Sequence, residues 1–144
     1  MTADASASGA TPRAQPESLR ARALSASITV NDLAASRDWY RDVVGFTLDR
    51  VFEHEGKLRA VALKAGAVEI LLTQDDGAKG MDRKKGEGIS LMLTTAQDVD
   101  EIAARIRERG GKLDQEPADN WGMRTFRFSD PDGFRFTVAS ERKQ

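Results

Sequence analysis

Few side chains in this sequence are equipped for chemistry. The 144-residue chain has no cysteine and one histidine, His54. Without thiols there can be no disulfides, iron–sulfur clusters or zinc-thiolate sites. His54 opens the polar stretch His54-Glu55-Gly56-Lys57, which predicts a turn between strands and an exposed imidazole. A Ser-His-Asp set would require that imidazole to leave its turn. The glycines from Gly77 to Gly88 sit among Lys and Asp without the spacing of a phosphate-binding loop. Arg83-Lys84-Lys85, followed by Glu87, is the longest basic run and is expected to be a solvated loop. In Asp130-Pro131-Asp132-Gly133, proline fixes φ and glycine supplies positive φ, so both aspartates are expected to form a turn and not to catalyse.

Charge and hydropathy narrow the partners. The chain carries 22 basic and 23 acidic residues, a net charge of -1. Neutralising phosphates needs a basic excess, so no nucleic-acid partner is expected. No apolar run approaches the roughly 18 residues of a membrane span. The opening Met1-Thr2-Ala3-Asp4-Ala5 lacks the basic and apolar segments of a secretory leader, so no membrane partner and a cytoplasmic location are expected.

The elements that must position any site follow from periodicity. Residues 1–22, rich in Ala, Ser, Thr and Pro, bury too little apolar surface to order and are expected to be a flexible tail. From Leu24, apolar residues alternate with Ser25, Ser27 and Thr29, predicting a first strand. Asp32 caps a helix that Gly45 ends. Strands follow at 46–52, 58–64 and 67–73, then a polar linker over 75–88. The order then returns. There is a strand at 89–95, a helix capped by Asp98 and stopped by Gly110-Gly111, and a short strand at 112–116. A loop is expected from Pro117 to Gly122, then strands at 123–129 and 134–139. Asp32 and Asp98 lie 66 residues apart, Gly45 and Gly110 65, Gly66 and Gly133 67. That near-constant offset predicts a duplicated strand–helix–three-strand unit.

Two stretches carry a resemblance. Ser27-Ile-Thr-Val-Asn-Asp-Leu-Ala-Ala-Ser36, continuing through Trp39-Tyr40 to Val44-Gly45-Phe46, resembles the opening strand and helix of the glyoxalase / bleomycin-resistance / extradiol-dioxygenase superfamily. Trp121-Gly122-Met-Arg-Thr-Phe-Arg-Phe-Ser-Asp-Pro-Asp-Gly-Phe-Arg-Phe-Thr137 resembles that family's closing hairpin. The resemblance covers about residues 23–140 and implies one α+β domain of two βαβββ units, 23–73 and 88–140. It further implies a curved, cup-shaped mixed sheet, helices on its convex side and a homodimer. Enzymes of the family hold one divalent metal in the cup, with His and Glu from the first and last strand of each unit. In this chain those positions fall on Ser25, Ser90, Thr137 and either Glu69 or Leu71. Neutral hydroxyls are poor ligands for transition metals beside imidazole and carboxylate, so no metal and no cofactor are expected.

Alternation along the strands puts Leu24, Ala26, Ile28, Ile70, Leu72 and Phe136 in the core. The opposite face carries the candidate ligand-binding residues Ser25, Ser27, Glu69, Leu71, Ser90, Met92, Arg127, Arg135 and Thr137. Arg127 and Arg135 are candidate partners for Glu69. Trp121 joins the set from its loop, either stacking on a ligand or plugging a subunit interface. This lining suits a small molecule with an apolar body and a few polar groups. It is not acidic, which argues against cationic bleomycin. Two functions follow. One is a metal-independent small-molecule-binding protein of the bleomycin-resistance kind. The alternative is a glyoxalase-like enzyme (lyase, isomerase or dioxygenase) using Glu69 as acid–base, or an atypical metal site.

Overall fold

A computed structural model describes residues 18–141. Most of the expected tail, residues 1–17, lies outside the described residues, and 18–25 belong to no helix or strand. Unit one runs β1 (Ala26–Val30), α1 (Leu33–Trp39), β2 (Thr47–His54), β3 (Lys57–Ala65) and β4 (Val68–Gln74). Unit two runs β5 (Ser90–Thr94), α2 (Val99–Glu108), β6 (Leu113–Asn120), β7 (Met123–Ser129) and β8 (Arg135–Glu141). The strand orders are β1-β4-β3-β2 and β5-β8-β7-β6, with β1 parallel to β4 and β5 parallel to β8. The fold is therefore the duplicated βαβββ arrangement, in two open four-stranded mixed sheets.

The predicted caps form. Asp32 Oδ1 accepts from the Ala35 N–H at 3.1 Å and Asp98 Oδ1 from the Asp100 N–H at 2.9 Å. Past Trp39 the first helix widens into a π turn over Tyr40–Val44, closed by the Gly45 N–H on the Tyr40 carbonyl at 2.9 Å. Gly45 stops it at φ +107°.

Both helices pack on the buried faces of the sheets, in one shared core. Ile28, Leu63, Ile70 and Leu72 come from the first sheet, Phe126, Phe128, Phe136 and Val138 from the second. Tyr40 is fully buried and meets Phe136 edge-on at 5.9 Å, while Phe128 and Phe136 stack at 5.0 Å. One expected core residue is misplaced: Leu24 is 98% exposed, because β1 begins only at Ala26 and Leu24 has no strand to turn it inward.

Two further expectations need correction. The stretch from Pro117 is not a loop. β6 continues through it to Asn120, and only Trp121-Gly122 turn, both at positive φ. β6 is an edge strand whose register slips between Gln115 and Ala118, so the N–H that Pro117 lacks removes no ladder bond. Nor is Arg83-Lys84-Lys85 uniformly solvated. The Lys85 side chain is 5% exposed and its Nζ donates to Asp75 Oδ2 at 2.8 Å, inside the linker joining the units.

That pair makes an acid-sensitive strap. The Lys85 ammonium first, then the Gly77 N–H, lower the Asp75 carboxyl to about 2. An unfolded aspartate titrates near 3.9. The folded value is the lower one, so this contribution to stability is present above about pH 4 and is lost as pH falls towards 2. Asp75→Asn is expected to flatten the acid limb of a stability–pH curve measured by urea unfolding in that window. An unchanged slope would refute the strap's role.

Candidate functional site

The faces turned away from the core are polar. On the first sheet Ser27 lies beside Leu71 and Thr29 beside Thr73, with the two threonine hydroxyls 3.3 Å apart. Ala62 follows next to Leu71, and Glu69 lies beside Lys64. On the second sheet Ser90 lies beside Arg135, Met92 beside Thr137, and Thr137 beside Arg127. Thr137 is buried, whereas Met92 is 61% exposed.

β1 and β5, first strands of their units, line a groove of about 590 Å³. It brings together Ser25, Ser27, Glu69, Ser90, Met92 and Arg135 over an apolar floor. Arg127 and Thr137 line a neighbouring hollow of about 810 Å³, which shares Ser90 and Arg135 with the groove. Leu71 lines neither. Trp121 is not brought in: it is 93% exposed at the tip of the β6–β7 hairpin. The volumes fall in the range of small-molecule sites, roughly 300–1,000 Å³.

The carboxylate of this face has a different partner from the expected one. The Arg50 guanidinium lies 3.8 Å from Glu69 Oε2, and neither Arg127 nor Arg135 pairs with it. Arg50 also sits 5.3 Å over the Phe52 ring, a cation–π contact. Arg50 therefore reaches Glu69 from β2, although neither it nor Phe52 lines the groove. Plain alternation could not assign them, because the β2–β3 register slips between Leu48 and Arg50 and again between Phe52 and Glu53.

The residues present do not fit a resident divalent metal. The four positions supply three hydroxyls and at best one carboxylate, that of Glu69, which Arg50 already neighbours. Among the described residues no three His, Asp or Glu side chains are grouped to hold an ion. His54 is the last residue of β2, with its side chain 73% exposed and Nε2 3.8 Å from Glu55. The arrangement offers hydroxyls, a thioether and guanidinium groups around an apolar floor, a surface for holding a molecule.

No curated protein matches the sequence. Solved structures do. A glyoxalase/bleomycin resistance protein/dioxygenase superfamily member from Sphaerobacter thermophilus DSM 20745 is 28% identical over 85% of this chain and 98% of its own, with a TM-score of 0.69. TnmS3, an antibiotic binding protein from Streptomyces sp. CB03234, is 24% identical over 88% and 100%, also at 0.69. TioX from Micromonospora sp. ML1 is 20% identical over 85% and 100%, again at 0.69. The likenesses below 25% identity concern the fold alone. The family model for the Glyoxalase/Bleomycin resistance protein/Dioxygenase superfamily matches residues 22–138. With that match, the two βαβββ units and the Asp-Pro-Asp-Gly hairpin, the chain belongs to the glyoxalase/bleomycin resistance protein/dioxygenase superfamily.

Proposed function

We propose that this chain is a metal-independent small-molecule-binding protein whose ligand lies on the open sheet faces, along the β1/β5 groove. The observation that carries the reading is the replacement of the family's metal-ligand positions by Ser25, Ser90 and Thr137 beside an apolar groove of about 590 Å³. Hydroxyls at these positions can orient a ligand through hydrogen bonds, while the floor supplies transfer free energy of roughly 25 cal/mol per Å² buried. Glu69 and Arg135 give the ligand one acceptor and one fork of donors. TnmS3, similar in fold, is an antibiotic binding protein, which supports a natural-product-sized ligand for this groove.

The same reading has the working unit as a homodimer. Among the described residues each sheet ends on two unpaired edges, β1 and β2 in one and β5 and β6 in the other, and nothing covers either open face. A second copy would complete a cup over them and cover edges that otherwise invite misassembly. Sedimentation at tens of micromolar is expected to give the dimer mass; a monomer mass would count against it. For the ligand, a screen of aromatic fragments against the full chain is the test. Met92→Ala and Glu69→Gln are expected to weaken the best hits by about five- to tenfold, the loss of one buried contact or hydrogen bond. Hits indifferent to both changes would reject this site.

A further inference from the structure

The duplication also produces a cavity on the helix side. Where α1 begins, the connection from β7 to β8 spans the five residues Asp130 to Phe134 and fills the space at the helix. Asp130 Oδ2 accepts from the Tyr40 hydroxyl at 2.7 Å, and Asp132 Oδ1 accepts from the Asn31 N–H at 3.1 Å. The equivalent place in the other unit is built from smaller parts. The β3–β4 connection has only Gly66 and Ala67. At the offsets that relate the units, Tyr40 corresponds to the smaller Ile106 and Phe134 to Ala67, which outweighs the one larger residue, Ile102 in place of Ser36. The missing volume appears as a cleft of about 620 Å³, lined by Gly66, Ala67, Ile102 and Ile106 and backed by Phe128 and Val138.

The mouth of this cleft is cationic. Arg105 on α2 and Arg109, the residue that caps its C-terminus, both line it, with no aspartate or glutamate among the lining residues. Nearby guanidiniums are engaged: Arg107 pairs with Glu116, and Arg124 with Asp100 and Asp119. Arg105 and Arg109 have no carboxylate within ion-pair distance among the described residues, although Arg109 stands close enough to Asp42 to help lower its pKa. An apolar hollow with two guanidinium forks outside any close ion pair at its entrance is complementary to an apolar body ending in one carboxylate.

We propose that the cleft between α2 and the β3–β4 turn is a second binding site, for an apolar monocarboxylate such as a medium-chain fatty acid. The carboxylate lies between Arg105 and Arg109 and the chain runs inward over Ile106 towards Phe128. The site is reached from the helix side, and its occupancy does not depend on the ligand of the sheet faces.

Calorimetric titration of the full chain with decanoate and with decanol at neutral pH tests this. Decanoate is expected to bind, and Arg105→Gln/Arg109→Gln to weaken it about tenfold while changing decanol by less than about twofold, since two charge-assisted contacts are lost. Ala67→Phe, which restores the bulk of Phe134, is expected to abolish binding of both. Thermal unfolding of each variant verifies the fold; the two arginines are exposed, so their double variant stays informative if Ala67→Phe does not fold. Glu69→Gln and Met92→Ala, on the opposite sheet faces, are expected to leave decanoate unaffected. The proposal is overturned if decanoate does not bind at millimolar concentration, if the double arginine variant binds it as tightly as the parent, or if Glu69→Gln or Met92→Ala weakens it.

Discussion

Replacing Tyr40 by alanine is expected to cost about 3–5 kcal/mol of folding stability, the range for removing a fully buried aromatic side chain. Tyr40 has no exposed surface and meets Trp39, Phe46 and Phe136 edge-on at 5.0, 5.7 and 5.9 Å. Its hydroxyl ties the helix of unit one to the β7–β8 turn of unit two through Asp130. Tyr40→Phe isolates that bond and is expected to cost about 1–3 kcal/mol, since it removes one partner of a buried carboxylate. Burial raises the Asp130 pKa, and the Tyr40 hydroxyl is the largest of the influences that lower it. Without the hydroxyl the folded carboxyl titrates higher still. A folded pKa above the unfolded one means stability present at low pH and lost as pH rises through the folded value. The gap between parent and Tyr40→Phe in denaturant unfolding therefore widens from acid towards neutral pH. A gap independent of pH, or a Tyr40→Phe as stable as the parent at pH 7, would refute this role.

Gly86→Ala is expected to destabilise by a comparable amount. Gly86 has φ +80°, which costs a residue with a Cβ roughly 1–2 kcal/mol. The added Cβ would stand 2.3 Å from the Gly133 carbonyl oxygen, 2.8 Å from its carbon and 3.0 Å from Phe134 Cα. All three are backbone atoms, so the linker must lift from the turn, adding about 1–3 kcal/mol of overpacking. Lifting it also draws Lys85 away from Asp75. Gly88→Ala is the control: φ is +76° but nothing lies within 4 Å of the new Cβ, so only the conformational cost remains. Equal destabilisation by the two substitutions would show that the linker does not bear on the turn.

What was legible in the sequence was what short-range rules decide. Alternation placed Ile28, Ile70, Leu72 and Phe136 in the core, and capping chemistry at Asp32 and Asp98 fixed both helix starts. The offset between those caps exposed the duplication. What was not legible depends on distant partners or on register. Lys85 looked solvated among its neighbours, and only the return of the linker onto Asp75 buries it. Arg50 reaches Glu69 across a strand pair whose bulges break the parity that alternation relies on. Proline suggested a loop at 117, and only the edge position of β6 allows a strand there. The six candidate residues of the β1/β5 groove come together because both units present their first strands at one boundary, which no single strand pattern reveals.

The most direct test of metal-independent binding at the sheet faces is a chelator-treated fragment titration followed by amide NMR of the full chain. Aromatic fragments are expected to shift the amides of Ser27, Glu69, Ser90, Met92 and Arg135, and the affinities are expected to be the same after dialysis against EDTA. Elemental analysis of the same sample is expected to show no stoichiometric zinc, nickel, manganese or iron. Binding that vanishes on chelation and returns with a divalent ion, or shifts that bypass these five residues, would contradict the account.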